Sequence, residues 1–194
     1  WFPLALFIVS IGVNLVAAAY ATEKASNSVG DLILSSIPAF DVEALLIAGT
    51  LATIAFTVLT CLWRPASIPF VLYVLSMLYF IRSVFVTLTH LSPFPTRIPI
   101  GAFELVTKVF GGADLFFSGH VGATFLLALV FWQESPMRYF FLLASVFFAV
   151  IVLLGHLHYS IDVAAAFFIA FGVYDLAKYF FPQEYQKLQN SFST

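Results

Sequence analysis

Six apolar runs, each close to the length of a bilayer crossing, follow one another along 194 residues with only short polar breaks between them. A helix needs about 20 apolar residues to cross the hydrocarbon. The runs cover about 1–21, 41–63, 67–91, 114–132, 137–154 and 158–181. In lipid every backbone N–H and C=O must be satisfied within the protein, which leaves helix bundles and closed barrels. The period-2 alternation of barrel strands is not visible. The expected fold is therefore an all-α integral membrane protein, a six-helix bundle forming a single transmembrane domain over 1–194. Composition excludes a soluble alternative: 62% of residues are hydrophobic and 9% charged, against roughly 25% charged in a soluble domain. The length of the first run favours a span over a signal segment.

The breaks carry their own signals. Residues 22–40 are polar, with Glu23, Lys24, Asn27, Gly30 and Asp31, and Asp41-Val42-Glu43 then opens the second run with acids suited to a helix N-terminus. Arg64-Pro65 turns the chain into the third run. A loop of breakers follows at 92–99, and 102–110 reads as a short helix lying at the interface before Gly111-Gly112. Gln133-Glu134-Ser135-Pro136 and Gly155-His156-Leu157 are the last two turns, and a short polar tail ends the chain. Alternating spans put Arg64, Arg138, Lys178 and Lys187 on one side and Lys24, Arg97 and Lys108 on the other. That excess, small as it is, points to the tail side as cytoplasmic.

The net charge of −2 and the scattered basic residues exclude a nucleic-acid partner. Cys61 is the one cysteine and sits in an apolar run, so neither a disulfide within the chain nor a cysteine metal site is available. The expected partner is the bilayer itself. No cofactor is called for, and a homo-oligomer is compatible with the sequence.

Ionisable groups inside spans are costly and are functional candidates for that reason. Arg82, His120, His158 and Asp162 are such groups. Asp175 and Lys178, three apart near the end of the last span, read instead as a snorkelling pair. At about 1.5 Å per residue, Arg82 would lie roughly 12 Å below His90 and His120 roughly 9 Å below Asp114. His158 and Asp162 would occupy the first turn of the sixth helix on one face, so that all four groups share a similar depth on the outward side. Asp162 could then accept the proton of one imidazole nitrogen and leave the other as a nucleophile or base. A pair that only satisfies itself within the bundle is the competing reading. Ser118 and Gly119 precede His120, and a hydroxyl with nearby amides beside a glycine can donate to an anion. A nucleophile with its orienter, a second acid–base group and a fixed cation are the parts phosphoryl transfer needs. Glu104, in the interfacial segment, reads as a solvated loop acid or as a group that activates an acceptor hydroxyl. His156 and His90 read as residues of the rim and the interface.

Gly112-Ala113-Asp114-Leu115-Phe116-Phe117-Ser118-Gly119-His120 and His156-Leu157-His158-Tyr159-Ser160-Ile161-Asp162-Val163 resemble the two signature segments of the sphingomyelin synthase family, a branch of the type-2 phosphatidic acid phosphatase superfamily. The resemblance runs from about Arg82 through the last span. It implies a six-helix fold with its site at the exoplasmic face and no metal. His158 would attack a phosphodiester, Asp162 would orient it, and His120 would protonate the leaving alkoxide and then deprotonate the acceptor. It also implies a phospholipid donor and a lipid alcohol acceptor such as ceramide or diacylglycerol. Arg82, Ser118 and Gly119 would face phosphate, with Asp114, Glu104 and Tyr159 as further candidates. Phosphatases of the superfamily typically carry Pro before Ser-Gly-His and a Ser-Arg pair upstream of the second His. Phe117 and Ile151-Val152 stand there instead. Phe94, Phe103, Phe110, Phe116, Phe117 and Tyr159 are expected to form an apolar mouth that limits water. The compact chain suits a bacterial inner membrane, with a eukaryotic Golgi or plasma membrane as the alternative. The competing functions are a phospholipase C-like enzyme or lipid phosphatase and, outside enzymes, a transporter or channel.

Overall fold

A computed structural model describes residues 1–98 and 115–192. The described residues are all-helical: α1 (Phe2–Glu23), α2 (Glu43–Trp63), α3 (Ile68–Leu88), α4 (Gly119–Val130), α5 (Ser135–Leu154), α6 (Ser160–Phe180) and α7 (Pro182–Phe192), with a 3-10 turn, Pro65–Ser67, leading into α3. Five of these are long and apolar enough to cross a membrane, namely α1, α2, α3 with its leading turn, α5 and α6. The expected count of six spans is not confirmed: among the described residues these five stand beside one short apolar helix, α4. At 12 residues α4 extends only about 18 Å, against a hydrocarbon thickness of about 30 Å. The fourth run was expected to be helical from Asp114, but 115–118 is non-helical and α4 begins at Gly119. The expected interfacial helix at 102–110 lies outside the described residues.

Between helices in lipid the hydrophobic drive is absent, so close packing falls to small residues. The buried stripe of α1 is Ser10, Asn14, Ala17, Ala18 and Ala21, and it lies against α3. α2 packs on α5, where a side chain at Gly49 would come within 2.6 Å of the Phe147 ring. α4 sits centrally, against α3, α5 and α6. The main core joins Phe70, Val74 and Leu78 of α3 to Val121, Leu126 and Phe131 around α4, and to Phe148, Val163 and Ala166 of α5 and α6.

The two ends of the bundle are closed differently. At one end the expected polar tail is a helix, α7, which buries Leu188 and sets Tyr185 against Phe70 at 5.4 Å between ring centroids. Arg64 ties this end together through Glu134 at 2.7 Å and the Ser191 carbonyl at 2.6 Å. Lys178 and Asp175 pair at 2.8 Å as expected.

At the other end three connections interlock. The Ser26 N–H and hydroxyl both donate to the His90 carbonyl, and the Ser92 hydroxyl donates to the Ser26 carbonyl. The Tyr159 hydroxyl donates to the Ser92 carbonyl at 2.8 Å and accepts the Val29 N–H at 3.3 Å. α5 ends in a Schellman motif: Leu157 N–H donates to the Val152 carbonyl and His156 N–H to the Leu153 carbonyl. His156 supplies the left-handed residue at φ 51°, a place usually taken by glycine. The glycine is one position earlier because a Cβ at Gly155 would meet Val42 at 2.5 Å.

Candidate active site

Residues 115–118 hold the site together with their backbone. The Phe117 carbonyl accepts from Arg82 Nε at 3.0 Å. The Leu115 carbonyl lies 2.9 Å from His158 Nδ1. The Ser118 N–H donates to the Asp162 carbonyl at 3.3 Å. One non-helical segment thus joins α3, the start of α4 and the start of α6, which carry Arg82, His120 and Asp162.

Arg82 is 6% exposed. Besides Phe117, its guanidinium donates from Nη1 to Asn14 Oδ1 of α1 at 3.2 Å. Gly119 lies flat against it, its virtual Cβ 3.4 Å from Arg82 Nε. His120 is in the first turn of α4, shallower in its helix than expected, and its ring lies over Phe148 at 5.2 Å. Ser118 is the N-cap residue of α4, but its hydroxyl makes no cap bond and is buried without a partner among the described residues.

His158 does not lie on α6, as the four-residue spacing to Asp162 suggested. It precedes the helix by two residues. A carbonyl can only accept, so the bond to Leu115 places the proton on His158 Nδ1 and leaves the Nε2 lone pair available. The orienting hydrogen bond expected to go from His158 to Asp162 therefore goes to a backbone carbonyl instead. Asp162 is the third residue of α6 and its Oδ2 accepts the Tyr159 N–H at 2.9 Å, while the Asp162 N–H returns to the Tyr159 carbonyl at 3.0 Å. This reciprocal cap fixes the carboxylate. Its Oδ2 stays 3.6 Å from His158 Nδ1, beyond hydrogen-bond length but within strong electrostatic reach. Asp162 is fully buried, and its Oδ1 has no partner among the described residues.

Other expectations are corrected. Tyr159 is 2% exposed and its hydroxyl is committed to two loop backbones, and Phe117 is fully buried, so neither lines a mouth. Of that aromatic set Phe94 and Phe116 are half-buried, and Phe103 and Phe110 lie outside the described residues. Asp114 and Glu104 lie outside them too. His156 is not at the rim: it is 2% exposed, its Nδ1 is 2.5 Å from the Thr96 hydroxyl, and Phe94 meets it edge-on. Among the described residues no three His, Cys, Asp or Glu side chains assemble as a metal site.

The structure adds two residues. Asn14 is legible as a polar side chain inside an apolar run, but nothing in the chain order links it to Arg82. Asp31 read as one acid among several in a polar loop. Its Oδ2 accepts both the N–H and the hydroxyl of Ser160, at 2.7 and 2.8 Å. Its Oδ1 accepts the N–H groups of Ile33 and Leu34. Burial by itself would raise its pKa, but the hydrogen bonds from Leu34, Ser160 and Ile33 outweigh that and hold the carboxyl below its ordinary value.

Residues 111–179 match the model of the PAP2 superfamily C-terminal domain. The matched segment contains Ser118, Gly119, His120, His158 and Asp162, and over that stretch the chain is similar to the PAP2 superfamily. No curated protein and no solved structure matches the chain.

Proposed function

We propose that this chain is a lipid phosphotransferase of the sphingomyelin synthase type, moving a phospho-headgroup from a glycerophospholipid to a lipid alcohol. The observation that carries the reading is the His158 ring, held by Leu115 at Nδ1 with Nε2 unprotonated and with the buried Asp162 3.6 Å away. Nε2 attacks the donor phosphorus, and the bond from phosphorus to the glyceride oxygen breaks. His120 gives that oxygen its proton. The ring has by then gained positive charge, which Asp162 offsets. In the second step His120 takes the proton of the acceptor hydroxyl, whose oxygen attacks phosphorus. The phosphorus–nitrogen bond breaks and His158 is restored. Arg82 and the Ser118 hydroxyl face the phosphoryl oxygens, where charge stabilisation and positioning are the catalysis. The site opens on the exoplasmic side, opposite α7.

Hydrolysis is the second reading, since water can take the phosphoryl group from the same histidine and the PAP2 match covers lipid phosphatases as well. Transfer is favoured by Phe117 standing where the phosphatases typically carry Pro and by the near-complete burial of the His158–Asp162 pair, which limits water around the intermediate. Protein in nanodiscs, given phosphatidylcholine or phosphatidylethanolamine with and without ceramide or diacylglycerol, decides between them. Transfer yields a new phospholipid that carries the donor's headgroup and appears only with acceptor, and His158→Ala abolishes it. Free phosphocholine or phosphoethanolamine formed at an acceptor-independent rate replaces this reading with the hydrolase.

A further inference from the structure

The connection between α1 and α2 makes two contacts with residues beside His158 and its hydrogen-bond partner. On one side Asp31 Oδ2 takes the N–H and the hydroxyl of Ser160, the first residue of α6 and two positions after His158. On the other side Asp31 Oδ1 closes its own turn through Ile33 and Leu34. That turn buries Leu34 in a small cluster with Leu115 and Tyr159, flanked by Leu91, Phe94 and Leu153. Leu115 supplies the carbonyl that fixes the His158 tautomer, and Tyr159 is the residue next to His158. One carboxylate therefore sets both halves of the Nδ1–carbonyl bond: the backbone that carries the imidazole and the packing of the residue that accepts from it.

We infer that Asp31 is a positioning residue for His158, acting through Ser160 and Leu34 to hold the Leu115 carbonyl and His158 Nδ1 in register. Asp31 bonds Ile33, Leu34 and Ser160 and not the His158 ring. Its catalytic consequence rests on the phosphotransferase reading, whereas the tautomer it enforces does not. Asparagine is not equivalent, because its amide nitrogen cannot accept. It keeps either the Ser160 bonds or the turn, not both.

The test separates these two claims. Protein carrying nitrogen-15 histidine, reconstituted in nanodiscs, reports the protonation of each ring nitrogen by NMR, and His158→Gln identifies the His158 signals. In the wild type Nδ1 carries the proton. In Asp31→Ala the His158 ring distributes between tautomers, and Asp175→Asn at the far end leaves it unchanged. Where transfer is measured, Asp31→Ala lowers kcat by about 10–100-fold, the scale of a misplacement near 1 Å, with KM for the donor little altered. A tautomer change in a protein that transfers nothing, wild type included, removes the function and keeps the inference. An unchanged His158 signal in folded Asp31→Ala overturns the inference. Should that variant not fold, Ser160→Ala and Asp31→Asn are read by the same signal, and no change in either overturns it.

Discussion

Replacing Asp162 by asparagine separates the roles a carboxylate can have beside a histidine. If the carboxylate fixed the tautomer, the substitution would leave the ring free to take the wrong one. Here the Leu115 carbonyl fixes it, at 2.9 Å, and what Asp162 supplies is charge at 3.6 Å. A unit charge on the ring and one on the carboxylate at that separation interact by about 4–5 kcal/mol at an effective dielectric near 20. Each 1.36 kcal/mol is tenfold in rate, so full loss of the interaction costs about a thousandfold and partial screening about a hundredfold. Stability should move the other way. The asparagine oxygen still accepts the Tyr159 N–H, the amide nitrogen replaces a carboxylate oxygen that has no partner among the described residues, and a buried charge is removed. The expected Asp162→Asn protein melts at the wild-type temperature or above it, keeps the proton on His158 Nδ1 by nitrogen-15 NMR, and transfers headgroup 100- to 1000-fold more slowly. Loss of the tautomer with this substitution, or an unchanged rate in folded protein, would refute the division of labour between Leu115 and Asp162.

Three further outcomes follow from the same geometry. Arg82→Lys should retain folded protein better than Arg82→Ala but should not restore turnover, because one ammonium cannot reach the Phe117 carbonyl and Asn14 with the planar fork of a guanidinium. Equal specific activity of Arg82→Lys and wild type would reduce Arg82 to a counter-ion. The folded Asp31 carboxyl titrates below its ordinary value of 3.8, so its contribution to stability is complete above that pH and is lost as pH falls through the lower folded value. The melting-temperature gap between wild type and Asp31→Asn should therefore be constant from pH 7 to 5 and shrink toward pH 3; a gap independent of pH is the contrary result. With Cys61→Ala as background, Lys187→Cys in α7 should resist an impermeant thiol reagent applied to intact cells. Labelling from outside would move the site to the cytoplasmic leaflet.

Chain order and hydropathy alone pointed to a multi-pass membrane protein, because this many long apolar runs in a chain with 9% charged residues leave too little polar surface to face water. They also singled out Arg82, His120, His158 and Asp162, since charge in lipid is costly enough to stand out without a partner being known. The length of α4 was not legible: 114–132 is as apolar as a span, but Leu115 and Phe117 spend their carbonyls on His158 and Arg82 rather than on a helix. The same exchange hid the orienter of His158. A carbonyl belongs to every residue type, so nothing in the name Leu115 announces it, whereas Asp162 at the right spacing offered a visible partner for the wrong bond. Asp31 was hidden for a third reason. It reaches Ser160 across 129 positions of chain, and in a loop an acid that caps a distant helix has the same local signature as one that faces water. Which side chains are costly is a property of the residues; which backbone groups satisfy them is decided only when the helices meet.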